Sequence, residues 1–237
     1  GGAGRWGCEA GGPGAGCGWA ARGGGRARGR GERPHVRRRV LGGSVTVEGP
    51  ARMWSDGGRV GAAYEVARGD ERRRVAELKR VRRVHLGESL ALVFENRDTI
   101  QSTLEEALRT ERIDDPQRVA GEIQAFNAVV PASRELAAAL FLEVADPADL
   151  GAAAARLEGV ESTVFIEVAG TRVRGIPEAV SPAGETAVAH YLRFSLEPAQ
   201  CTAIVSGSPL ATGTDHPALT VTVQLEEDQH RAIAEDL

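Results

Sequence analysis

The sequence predicts an α+β protein. It reads as a single domain over residues 59–237, with a mixed, largely antiparallel sheet packed by helices. A disordered Gly/Arg-rich segment, residues 1–52, precedes that domain. Three observations lead there. The periodic segments run helix, strand, two helices, strand, helix and then mostly strands, which is not the alternation of a βαβ-wound sheet. The hydrophobic share of 42% and charged share of 26% are those of a chain that can bury a core. Residues 1–34 have neither a helical nor a strand period, and their glycine content forbids packing.

Each element has its own signal. Residues 59–84 read as a helix, with Tyr64, Val75, Leu78 and Arg82 near one stripe and Gly69 weakening it. Residues 89–95 read as a strand with Leu90, Leu92 and Phe94 on one face. Asp98 is placed to cap the next helix, with Gln101 completing a capping box and Ile100, Leu104, Ala107 and Leu108 forming the buried stripe. Asp115-Pro116 opens a further helix, whose Val119, Ile123, Phe126 and Val130 step at three and four until Pro131. Residues 136–145 alternate Leu136, Ala138, Leu140, Leu142 and Val144, with a mostly apolar opposite face, which predicts an interior strand. Asp146-Pro147 repeats the cap device ahead of a short Ala-rich helix, and VFIEVAGTRVRGI reads as a hairpin turning at Ala169-Gly170. Residues 186–196 form a strand with Val188, His190, Leu192 and Phe194 on one face and Tyr191 and Arg193 on the other. A Pro198-led helix through Cys201 and Ile204, a strand near residues 219–225 and a last helix complete the chain.

Charge divides the chain. Residues 1–40 hold nine Arg against Glu9 and Glu32, whereas the rest holds 20 basic and 31 acidic side chains. An acidic body disfavours nucleic acid as its partner. The Gly/Arg segment can be read as an RGG-like RNA-binding tail, or as upstream GC-rich DNA translated from a start set too early. The second is preferred, because Lys79 is the only lysine beside 28 arginines and Met53 the only methionine. No apolar run is long enough to span a bilayer, and no charged stretch leading into an apolar core marks a signal peptide. Cys8, Cys17 and Cys201 are scattered and odd in number, so cytoplasm is the expected compartment.

Several engines of catalysis lack their signatures: there is no phosphate loop, no dinucleotide glycine motif at a strand–helix junction, no G-x-S-x-G and no H-E-x-x-H. No cofactor is signalled. Glu227, Asp228 and His230 give one E-x-x-H spacing, but a di-iron site needs a second such helix, so a solvated face is expected. The basic run from Arg68 to Arg83, including Arg72, Arg73, Arg74, Lys79, Arg80 and Arg82, could hold an anionic partner; the preferred reading is a helix lying against its own acidic body. On the helix after Phe94, Glu105–Arg109 and Glu106–Arg109 stand at pairing distance and read as a solvated face. The sharper alternative is a polar pocket in which Glu95, Arg97 and Glu106 meet His190 from an adjacent strand. Against it stands the plain reading of His190 as a core histidine.

LKRVRRVHLGESLALVFENRDT, ALRTERI, FNAVVP, ELAAALFLEV, HYLRF and DHP, in that order, resemble an uncharacterised bacterial family catalogued as domain of unknown function 3501. The resemblance runs from Tyr64 to Leu237. It implies a single-domain soluble protein whose genes often lie beside those of rubrerythrin-like and iron–sulfur oxidoreductase proteins, with no established activity. It also implies recurrent polar positions at Glu95, Asn96, Arg97, Glu106, Arg109, Glu111, Arg112, Glu143, His190, Arg193 and His216. The chain departs from the family at Thr103 and Ala107, where members often carry Gln and Met, and at Ala137 and Ala139, where Ser and Thr are typical. Two functions are expected on these grounds. One is a non-catalytic accessory partner of a redox or peroxide-detoxifying iron protein. The other is an enzyme or small anionic-ligand binder in which Arg109 holds the anion while Glu106 and His190 move protons.

Overall fold

The computed structural model describes residues 59–178 and 189–237. The Gly/Arg segment, Cys8, Cys17, Met53 and the start of the strand expected from residue 186, Val188 included, lie outside the described residues. The chain is α+β, and its described strands form two sheets in which every pairing is antiparallel. The single mixed sheet of the sequence reading is therefore replaced by two unmixed ones.

Helix α1, Ala62–Arg80, is shorter than the sequence suggests. The chain turns after Arg80, and Arg83–Leu86 is strand β1, burying Val84 and Leu86 while Arg83 and His85 face the other way. A four-residue strand beside a long charged helix carries too little alternation to stand out from helical period. Strand β2, Leu90–Glu95, pairs with β1 and with β3, Glu135–Leu142, which is interior as expected. β7, Ala189–Ser195, lies on the far side of β3, and the edge strand β6, Ile176–Pro177, completes the first sheet.

The second sheet runs β5, Thr171–Arg174; β4, Val164–Val168; β8, Leu210–His216; and β9, Leu219–Gln224. The turn between β4 and β5 falls on Ala169 and Gly170, both at positive φ, the two-residue geometry that matches strand twist. β8 has no signal in the sequence reading: LATGTDH is small and polar, yet almost all of it is buried. Its hydroxyls are satisfied inside the sheet, Thr212 Oγ1 donating to the Phe165 carbonyl at 2.8 Å and Thr214 Oγ1 sharing a hydrogen bond with Thr163 Oγ1 at 2.7 Å.

One core lies between the sheets. Leu90, Leu92, Phe94, Leu140, Leu192 and Phe194 from the first meet Val164, Ile166 and Leu210 from the second. The chain crosses from β5 to β6 at Gly175, where a Cβ would stand 3.0 Å from the Phe194 ring, so any side chain there requires the ring to give by a few tenths of an ångström. Helices α4, Leu150–Arg156; α5, Pro198–Val205; and α6, Glu227–Ala234, surround this core, with Ile204 and Ile233 sealed into it.

The outer face of the first sheet is the helix side. Helix α2, Arg97–Thr110, and α3, Pro116–Asn127, gather Ile100, Leu104, Leu108, Ile113 and Phe126 into a second core that includes Tyr191. Asp115 and Pro116 start α3 as read from sequence. The cap of α2 is Asn96 rather than Asp98: Asn96 Oδ1 accepts from the backbone N–H groups of Asp98 and Thr99, and Thr99 Oγ1 returns the bond to Asn96 N. Among the described residues no helix is long and apolar enough to cross a membrane.

Candidate functional site

Glu105, Glu106 and Arg109 of α2 pair with α1 and with Arg59 ahead of it. Glu105 is buried and accepts from Arg59 N at 3.0 Å, Arg59 Nη2 at 3.2 Å and Gln101 Nε2 at 3.1 Å. Glu106 accepts from the Tyr64 hydroxyl at 2.8 Å and from Arg68 Nε at 2.7 Å. Arg109 Nε donates to Glu65 at 2.7 Å, and Arg74 Nη1 reaches Asp98 at 2.9 Å. The pairs expected along α2 itself, Glu105–Arg109 and Glu106–Arg109, give way to pairs across the seam. α1 fully buries only Tyr64 and Val75, so its docking leans on ions. Part of the basic run meets the rest of the body, Arg68 pairing with Glu106, Arg74 with Asp98, Lys79 with Glu95, Arg82 with Asp236 and Arg83 with Glu143, while Arg73 and Arg80 pair within α1 with Asp70 and Glu77.

The seam perturbs its carboxyls. Burial pushes Glu106 up, but the hydrogen bonds from Arg68 and Tyr64, with the charges of Arg68 and Arg72, outweigh it and hold the group below the ordinary 4.5. At Glu71 the Arg74 hydrogen bond dominates, opposed by burial and aided by Arg59, with the same net direction. Burial, with the Glu106 hydrogen bond second, drives the Tyr64 phenol above its usual range. A carboxyl depressed by folding contributes stability that is complete above its unfolded value and is lost as pH falls through the folded one. Below pH 4.5, α1 is therefore expected to lose amide protection before β2 and β3 do. Hydrogen exchange along a pH series tests this, and simultaneous loss in helix and sheet would contradict an ionic seam.

The candidate residues do not converge. Register settles it: Glu95 stands opposite Ala137, and Ala137 opposite Arg193, so Glu95 and Arg193 share the helix-side face. His190 pairs with Leu140 and alternates onto the inter-sheet face with Leu192 and Phe194. It is thus separated from Glu95, Glu106 and Arg109 by the thickness of the sheet. Arg193 is a structural clamp, donating to Glu178 at 2.7 Å, Glu135 at 2.6 Å and the Ala128 carbonyl at 2.7 Å just past α3. Glu95 is buried with Lys79 Nζ at 3.3 Å from Oε1, and among the described residues its Oε2 has no hydrogen-bond partner. His216 is also structural: the Ala218 N–H donates to Nδ1 and Nε2 lies 3.1 Å from the Glu158 carbonyl. The E-x-x-H spacing resolves likewise, Glu227 pairing with Arg231 and His230 Nε2 lying 3.1 Å from the Ser208 carbonyl.

Two polar groups escape the sequence reading. The first is a groove of about 440 Å³ bordered by Arg82, Asn96, Arg97, Val130 and Asp236. Arg82 lies at its floor and grips Asp236, which also accepts from Asn96 Nδ2 at 3.1 Å. The second surrounds Glu143, where Arg83 and His85 approach its two oxygens, His85 Nδ1 at 3.2 Å from Oε2. Assigning residues 59–84 to one helix hides both, because Arg82, Arg83 and His85 act from β1 or the turn before it. Among the described residues, no three His, Cys, Asp or Glu side chains are grouped to hold a metal ion.

These features define an α+β protein in which two antiparallel sheets enclose one core, α2 and α3 cover the outer face through a second apolar core, and α1 is tied to α2 by ion pairs. The chain belongs to the family described as protein of unknown function DUF3501, whose model matches residues 61–237. It is similar to a solved structure, a novel protein of unknown function from Burkholderia pseudomallei, at 32% identity and TM-score 0.73. The match covers 78% of this chain and 98% of that one. No curated protein matches the chain.

Proposed function

We propose that the chain is a non-catalytic, cytoplasmic accessory of a bacterial redox or peroxide-detoxifying iron-protein system. Its partner is a rubrerythrin-like or iron–sulfur oxidoreductase protein. The observation that supports a non-catalytic role is the commitment of the expected pocket. Glu95, Glu106, Arg109 and Arg193 each bind a partner that holds one element to another, and His190 is on the opposite face of the sheet. The partner class rests on the family resemblance and its expected gene company.

Antibody capture of the untagged protein from its native host, with iron analysis and mass spectrometry of the retained proteins, tests the reading. A rubrerythrin-like or iron–sulfur protein retained in near-stoichiometric amount is the expected result. Capture with no iron protein above the control antibody overturns it.

A further inference from the structure

We propose that Arg156, Ser89, His85 and Arg83, arranged around Glu143 on the outer face of the first sheet, form a binding site for the phosphate or carboxylate group of a small organic molecule. The site goes beyond the accessory reading and does not rest on it.

The strand register puts these side chains together. Leu90 pairs with Leu142 and Glu143 N donates to the Ser89 carbonyl at 2.7 Å, so Ser89 and Glu143 are the next cross-strand pair. One row along, His85, Ala91 and Phe141 are aligned, and a further row holds Arg83 opposite Val93. Side chains alternate in pairs, so Ser89, Glu143, His85, Phe141 and Arg83 all project from one face. From outside the sheet, Arg156 of α4 brings Nη2 to 3.1 Å from Ser89 Oγ.

Charge then selects the ligand. Glu143 is nearly buried, its side chain 11% exposed, and among the described residues it is the one carboxylate paired with this group. Arg83 takes its Oε1 and lies 5.9 Å from the Phe141 ring centroid, which neutralises the carboxylate and leaves an aromatic shelf. Arg156 forms no ion pair among the described residues, and its hydrogen bond goes to the neutral Ser89 hydroxyl. The competing carboxylate, Glu88 in the hairpin turn, reaches neither guanidinium at ion-pair distance. The cluster thus carries a surplus guanidinium in a body that is acidic elsewhere. Ser89 Oγ, accepting from Arg156, keeps its own proton to donate, and His85, 46% exposed, is open to an incoming group. A guanidinium fork with an adjacent hydroxyl and imidazole suits an oxyanion.

The test uses the full chain, with inorganic phosphate and acetate as probes at constant ionic strength, read from the Arg156 Nε–H and His85 ring signals by NMR. Saturable shifts of both residues are expected with at least one probe. Arg156→Ala should weaken that binding about fivefold or more, as loss of a charged hydrogen bond does. Glu143→Gln, which removes the competing negative charge and releases Arg83, should tighten it. Arg156 is exposed on α4, so its replacement leaves the core intact; if the Glu143 variant does not fold, the Arg156 variant decides alone. Absence of saturable shifts with either probe, or equal affinity in Arg156→Ala, overturns the site.

Discussion

Gly213→Ala should unfold this protein or remove most of its stability. Gly213 sits mid-strand in β8, between Phe165 of β4 and Thr222 of β9. A Cβ there would stand 2.1 Å from the Val221 carbonyl oxygen and 2.9 Å from Phe165 Cζ. The ring could tilt, although Arg172 stacks over it at 4.0 Å. The carbonyl cannot move without shifting the backbone of the β8–β9 pair. Overpacking usually costs about 1–3 kcal/mol; a clash against backbone belongs to the larger class, about 4 kcal/mol or more. Gly121→Ala is the internal control. It lies exposed inside α3 with no atom within 4 Å of the added methyl, so it should stabilise by about 0.5–1 kcal/mol. Urea midpoints of the two variants should move in opposite directions, and a loss below about 1 kcal/mol at Gly213 would show that β8 and β9 can separate cheaply.

That glycine also marks where sequence stops being readable. β2 and β3 announce themselves because their inward residues are large and apolar, and Asp115-Pro116 and Asp146-Pro147 each cap the next helical segment through local geometry alone. Ala169-Gly170 is legible for the same reason. β8 is not: Thr212, Gly213 and Thr214 are buried because a neighbouring strand supplies their partners and a ring covers the glycine. The chain passes from one sheet to the other at Gly175, close against Phe194, a contact that no local period records. The same holds for the candidate pocket. Strand alternation correctly puts His190 beside Leu192 and Phe194, with Arg193 opposite. Sequence alone does not contain the choice of face that α2 covers. Once α2 lies on the Arg193 side, the imidazole cannot join Glu106. Glu143 enters the sequence reading only through the family resemblance, and its companions Arg83 and His85 become visible only because the end of the expected first helix is a strand.

The second large effect is expected where Arg82 meets Asp236. The Arg82 side chain is 2% exposed, Asp236 12%. Arg82 Nη1 donates to Asp236 Oδ2 at 2.5 Å and Nη2 to Oδ1 at 3.0 Å, with a further bond from Nη2 to the Ala232 carbonyl at 2.6 Å; Nε is buried with no hydrogen-bond partner among the described residues. Asp236 also accepts from Asn96, whose side-chain oxygen caps α2. The clamp therefore ties the turn after α6 to the start of α2 across the end of β2. Removing one partner of a buried pair leaves the other charge uncompensated, and the cost depends on which one stays dry. Asp236→Ala strands a guanidinium in the interior and should cost about 3–5 kcal/mol. Arg82→Met fills the space with an apolar chain and leaves a carboxylate that keeps Asn96 and some water, so about 1–3 kcal/mol is expected. Because the aspartate then has little left to hold, the double variant should lie close to Arg82→Met alone, so the coupling in the cycle approaches the whole Asp236→Ala loss, about 3–5 kcal/mol. Chemical denaturation of the four proteins measures all these terms. Equal single losses that simply add would mean that the two side chains act independently, and that the groove beside them is held by its apolar wall at Leu78 and Val130 instead.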